Sequence, residues 1–314
     1  MKLKLRVLMN SSISVDIYYI DLARDCTCFL GLALSLIGVF LNILSYQTAK
    51  FLGKFNSSVA FIRLLAIWDS LAVSQDGVLN LGGKLFGFDA SAITPTICKL
   101  YYVHGWGSGF AANYHLVALV FDRFLAIKFP IWYRSNCKPK YAYISSLIIF
   151  LLSYGVCIPA LWFFDLKDGI CKVFYYQDIF NWYLRFLVFV VYSSLPFLLI
   201  LFFNTYFISY LRSHTPQSRN QTQANDRELQ ERRMVVMLAT VSVSFLIFTF
   251  ACGIVLLWNF QFTPVTKIEK SIAALTNVVY QIPAILNSSF NFIFFFLSGK
   301  GYRDAFYRLI SVDK

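Results

Sequence analysis

The sequence predicts an all-α integral membrane fold: a seven-transmembrane helix bundle followed by a short amphipathic helix at the C-terminus. Three observations lead there. Of the 314 residues, 58% are hydrophobic and only 14% charged, with a mean hydropathy of +0.61. That composition excludes an ordinary water-soluble globule. The apolar residues gather into seven long runs, each reaching the roughly 20 residues that a hydrocarbon core of about 30 Å demands. The runs are continuous, not alternating, which argues against a β-barrel.

The spans fall near 27–49, 57–81, 97–128, 141–164, 181–211, 233–258 and 271–297. They divide the chain into an extracellular N-terminus (1–26), the bundle (27–299) and a helix with a short cytoplasmic tail (300–314). Lys2, Lys4, Arg6 and Arg24 precede the first span without a compact apolar core, which argues against a cleaved signal peptide. Asn10-Ser11-Ser12 is a glycosylation sequon, accessible if this end lies outside. The first span carries Asn42, and the second carries Asp69 within Leu64-Leu65-Ala66-Ile67-Trp68-Asp69-Ser70. In the third, 25 residues separate Cys98 from Arg123. At about 1.5 Å per residue that is roughly 37 Å, so the two stand at opposite membrane faces. The fifth and sixth spans are joined by a polar stretch from Arg212 to Arg233, which reads as helix extensions around a flexible loop. Beyond the seventh, Tyr302, Phe306, Leu309 and Ile310 share a face opposite Arg303, Asp304 and Arg308, as in a helix lying on a leaflet.

With the N-terminus outside, 17 of the 28 Lys and Arg fall on the cytoplasmic side, which sets the orientation. The net charge of +12 then lies almost wholly on the inner face, suited to anionic membrane lipids or an acidic protein partner. Nucleic acid is a poor match for charge spread over membrane loops. An enzyme is disfavoured too: the histidines are only His104, His115 and His214, with no metal-ligand spacing and no nucleophile triad.

A carboxylate at the bilayer centre costs about 2.5–3.5 kcal/mol on insertion scales, so Asp69 calls for a function. Asn42, Asn287, Ser288 and Asn291 are its expected companions, in a polar cluster able to hold a proton or a cation such as sodium. Interhelical hydrogen bonding is the equal alternative. At the inner end of the third span, Arg123 beside Asp122 suggests a releasable pair, since the acid offsets the benefit of simple headgroup anchoring. A Cys98–Cys171 disulfide would tether the second outer loop to the third helix as a lid; Cys26 and Cys28 lie near the same face, so the pairing is not unique.

Asp122-Arg123-Phe124 resembles the Asp-Arg-Tyr signature of rhodopsin-like (class A) G-protein-coupled receptors, and Asn287-Ser288-Ser289-Phe290-Asn291-Phe292-Ile293-Phe294-Phe295 is similar to their Asn-Pro-x-x-Tyr region. Asn42, Asp69, Cys98, Arg123, Pro130, Pro159, Pro196 and Asn291 fall at matching places in successive spans. Within the family the chain looks most like peptide receptors, especially invertebrate neuropeptide types. It departs from the pattern where Phe124 and Phe295 replace tyrosines, Phe292 replaces a proline that Pro283 would stand in for, and Asn204 replaces a tyrosine. Ile149-Phe150 stands where the fourth helix usually carries Trp, and the sixth span lacks the Trp-x-Pro hinge.

The resemblance implies a switch for G-protein coupling around Asp122, Arg123, Phe124, Asn291 and Phe295, and a ligand pocket in the outer half of the bundle. Gly105 replaces the acid of amine receptors, and no lysine lies between Lys270 and Lys300 to hold retinal. The pocket candidates are Asp76, His104, Trp106, Arg185, Trp258, Tyr280 and Gln281, with Asp76 and Arg185 suggesting a ligand carrying both charges. The implied partners are an extracellular peptide and a heterotrimeric G protein at the plasma membrane. A constitutively signalling orphan receptor is the alternative; a channel or transporter using Asp69 is disfavoured by the lack of broken spans and internal symmetry.

Overall fold

The computed structural model describes the backbone of residues 2–52, 56–173, 177–213, 240, 242–249, 251–255, 258, 262 and 264–311. Side chains are described from residue 14 onward within these stretches, except at 207, 208, 210–213 and 298. The side chain of Asn10 and most of the Arg212 to Arg233 stretch lie outside the described residues.

Helix formation follows the local signals. The first helix, α1, runs from Lys2 to Thr48 without a break, so the first span is the later part of a longer helix. Asn56 caps α2 (Ser57–Val73), its side-chain oxygen accepting from Val59 N at 3.0 Å. The second span then continues as a wider π-helical segment, Ser74–Gly82. Thr94 caps α3 (Pro95–Lys128), with Pro95 at the first helical position, where no donor is lost. A short helix α4 (Pro130–Asn136) precedes α5 (Pro139–Gly155), the fourth span.

Between the fourth and fifth spans lies an antiparallel hairpin, β1 (Phe164–Lys167) with β2 (Ile170–Val173), in which Leu166 faces Cys171. The fifth span comprises α6 (Gln177–Phe186), a second π-helical segment (Leu187–Ser194) and α7 (Leu195–Ser213). A shorter apolar helix, α8 (Ser242–Val255), belongs to the sixth span. The seventh is α9 (Lys267–Val279), α10 (Gln281–Ser289) and α11 (Asn291–Ser298), and α12 (Lys300–Ser311) follows. A reciprocal Thr266–Glu269 capping box starts α9.

Among the described residues, five helices are long and apolar enough to cross a membrane, and the bent seventh makes a sixth. Its 42° bend falls at Phe290, between α10 and α11, with no proline at Phe292. Pro283 sits instead beside the separate break at Tyr280, so the kink expected from that proline is not the main one.

The third span is the hub, packing on α2, α5 and α7. One apolar cluster, including Leu65, Leu119, Phe124, Ile200, Phe245 and Phe295, fills the end of the bundle nearest Arg123. Another, with Phe163, Phe164, Phe180 and Leu184, surrounds the Cys98–Cys171 disulfide at the opposite end. Helix α12 docks through Tyr302, Ala305 and Phe306, with Tyr302 Oη donating to Ser45 Oγ at 2.9 Å. Ile310, expected on that face, is exposed.

Candidate functional site

Two adjoining cavities of about 250 and 370 Å³ open into the disulfide end of the bundle, sharing Asn80, Tyr101, Tyr102, Asn277 and Tyr280 as common walls. Both π-helical segments contribute to the inner one: Gln75, Asp76 and Asn80 come from the first, Leu187, Val188 and Tyr192 from the second. A π turn shifts the register of every side chain after it, which is why such segments recur at functional sites.

One face of α3 forms the opposite wall. Tyr101, Tyr102, Gly105, Trp106, Gly109 and Phe110 repeat at one-turn intervals, aromatic rings alternating with glycines that leave space. A Cβ on Gly105 would come within 3.3 Å of Gln75 Cγ, so the second helix fills the room a larger residue would occupy. The roof is the hairpin. Phe164 stacks on Tyr102 with ring centroids 3.6 Å apart and also packs on Trp106 and Phe180. The disulfide holds that roof down; Cys26 and Cys28 are free, which resolves the pairing.

Of the seven pocket candidates, Asp76, Trp106 and Tyr280 line the inner cavity and Gln281 the outer one. Three do not reach either. His104 turns toward the fourth span, its Nδ1 2.9 Å from Tyr154 Oη. Arg185 lies over the exposed ring of Trp182, and Trp258 stacks on Phe262. His104 and Arg185 sit on helix faces rotated away from the cavity. Asp76 and Arg185 therefore do not face one cavity: among the described residues the inner cavity is lined by one carboxylate and no Lys, Arg or His. Tyr101, Tyr102, Phe164, Phe180, Tyr192 and Asn277 went unpredicted, although the aromatic–glycine spacing in α3 was a readable signal for the first two.

The cavity floor joins the polar cluster. Ser288 lines the cavity and hydrogen-bonds to Asp69, which is fully buried; Asn291 Nδ2 donates to Asp69 Oδ2 at 2.8 Å. Asn42 Nδ2 donates to the Ser288 carbonyl at 2.9 Å. Asn287 reaches a different partner, Asn113, which in turn donates to the Tyr192 carbonyl. Polar contacts thus connect the first, second, third, fifth and seventh spans directly beneath the cavity.

At the other end, Asp122 is buried but not paired with Arg123. Ser57 Oγ donates to it at 2.6 Å, Tyr133 Oη at 2.8 Å, and Ser58 Oγ also donates. Three hydroxyls satisfy the carboxylate, while Arg123 is half-buried and its Nε has no hydrogen-bond partner. Asp122 and Arg123 form no ion pair with each other. The expected Asp122–Arg123 pair is therefore corrected: the acid is tied to the second helix and α4, and Arg123 has no ion pair among the described residues. Phe124 packs against Phe203 and Tyr206, and the Lys128 ammonium lies 5.2–5.3 Å from the rings of Phe124, Phe129 and Tyr206. Phe295 is buried against Tyr302.

Comparison with family models matches residues 48–294 to the 7 transmembrane receptor (rhodopsin family) model, which spans most of the chain. No curated protein matches this sequence.

Proposed function

The chain belongs to the rhodopsin family of seven-transmembrane receptors, class A G-protein-coupled receptors and not enzymes, and from that premise we propose that it binds an extracellular neuropeptide. In this reading it sits in the plasma membrane with its N-terminus outside and membrane lipids against its exposed apolar side chains. Asp122, Arg123, Phe124, Asn291 and Phe295 form the region that engages a heterotrimeric G protein. The observation that supports it best is the two-chamber cavity under a disulfide-anchored hairpin, with its floor bonded into the polar cluster around Asp69. Two chambers suit a peptide end, with one residue seated deep and its neighbours nearer the mouth. A ligand that moves the seventh helix by way of Ser288 disturbs contacts on which several other spans depend. A sodium-type cation is compatible with the Asp69 carboxylate and the Ser288 hydroxyl. Hydrogen bonds from Asn291 and Ser288 satisfy that carboxylate without one.

Constitutive signalling is the second reading, favoured by Arg123 having no ion pair among the described residues. Second-messenger output, with and without a peptide library, separates the two when the native chain is compared with Arg123→Ala at matched surface expression. Peptide-dependent output lost in the variant supports the peptide receptor. High ligand-free output lost in the variant supports the constitutive form. Output that ignores Arg123 sinks both.

A further inference from the structure

Among the described residues lining the inner cavity, Asp76 is the one carboxylate and there is no Lys, Arg or His; it forms no ion pair and no hydrogen bond with them. Lys84, whose charge acts on it, lies in the adjoining chamber beyond ion-pair distance, together with Asp89. Arg185, the base expected to face it, points elsewhere. Around the carboxylate the walls are aromatic, with Tyr101, Tyr102, Trp106, Tyr192 and Tyr280 all lining the same space. Aromatic faces carry negative potential that attracts cations, and a carboxylate with low-dielectric walls strengthens the same preference.

We infer that this cavity takes the positively charged group of the ligand, an ammonium or a guanidinium, with Asp76 as its counter-charge and the tyrosine and tryptophan rings as its cage. The inference rests on the receptor reading above, because it names the part of the ligand that enters first. It makes anionic ligand groups poor occupants: among the described residues no Lys, Arg or His lines the inner cavity to pair with them, and both the acid and the ring faces repel them. It also limits Lys84 to the outer chamber, where it meets whatever follows the cationic group.

The test needs no ligand. A thiol is introduced on the cavity wall by Ala284→Cys, with Cys252→Ala removing the other cavity thiol. The full-length protein in lipid nanodiscs is then treated with 2-(trimethylammonium)ethyl or 2-sulfonatoethyl methanethiosulfonate. Mass spectrometry of the peptide containing position 284 gives each rate, normalised to the same reagent's rate with a small free thiol. We expect a cation preference of about tenfold or more, the lower end of what focused charge does to local concentration in a cleft. Asp76→Asn is expected to abolish that preference and Asp76→Glu to keep it, which also guards against a merely misfolded variant. Equal normalised rates for the two reagents would overturn the inference, as would a preference that survives Asp76→Asn or failure of both reagents to react. No G protein enters the assay, so loss of the receptor reading in the Arg123 comparison and loss of this inference are separate results.

Discussion

Trp68 illustrates how one residue replaces a feature missing elsewhere. The fourth span has Ile149-Phe150 where the family usually carries tryptophan, and an indole comes from the second helix instead. Trp68 stacks on Phe150 and on His115, each 5.7 Å between centroids, and leans on Tyr154. His115 is fully buried and bonded to Ser146 at 2.8 Å, so the indole also covers a polar link between the third and fourth spans. Trp68→Ala should therefore cost about 3 kcal/mol, as for other large aromatic truncations in packed interiors. Thermal melting of the purified protein reads that loss, and an unchanged melting temperature would show the stack to be incidental. Phe at position 68 should recover part of it by keeping a ring in place.

At the scale of elements, the close approach of the first two helices depends on small residues. A Cβ on Gly77 would lie 1.4 Å from Ser35 Oγ and 2.2 Å from Ser35 Cβ, and 3.3 Å from the Gly31 carbonyl. Ser35 cannot swing away freely, since it is fully buried and donates to Gly31 O at 2.7 Å. Small residues let helix backbones meet where lipid supplies no hydrophobic drive for association. Gly77→Ala should destabilise the fold by about 1–3 kcal/mol through overpacking. Ser35→Gly in the same chain should restore most of that, because it removes both clashing atoms. Absence of rescue, read from the fraction of monodisperse protein after detergent extraction, would place the strain elsewhere. The same contact helps position the π-helical segment, and with it Asp76.

For the whole molecule the open quantity is orientation, which the excess of basic residues at the Arg123 end supports. Three loop sequons, Asn10-Ser11-Ser12, Asn56-Ser57-Ser58 and Asn220-Gln221-Thr222, turn it into a measurement; a fourth, Asn287-Ser288-Ser289, lies within the seventh span. With the N-terminus outside, a glycosidase should shift the mass of the cell-expressed protein by one glycan, and Asn10→Gln should remove the shift. Asn56 and Asn220 would remain unmodified, and Asn56 also uses its side chain to cap α2. A glycan on either one would reverse the topology and exchange the roles of the cavity end and the Arg123 end.

The membrane class, the helical spans and the amphipathic helix were legible because hydropathy and helical period are local properties, summed along the chain without regard to neighbours. Asp69 stood out for the same reason: a carboxylate amid apolar residues signals its cost wherever the helix packs. Partners were not legible. Asp122 meets Ser57 and Ser58 from more than sixty positions away, and neither serine differs in sequence from one facing solvent. Which of Asp76, His104 and Arg185 would face the cavity depended on helix rotation, and for Asp76 the π-helical segment that carries it breaks the regular period from which rotation is read. The disulfide likewise had several partners on paper and one in space, because only Cys171 is carried by a strand that lies across the top of the third helix. Composition and periodicity were enough to place this chain in a membrane as a helical bundle; the angle at which each helix meets the next decided what that bundle encloses.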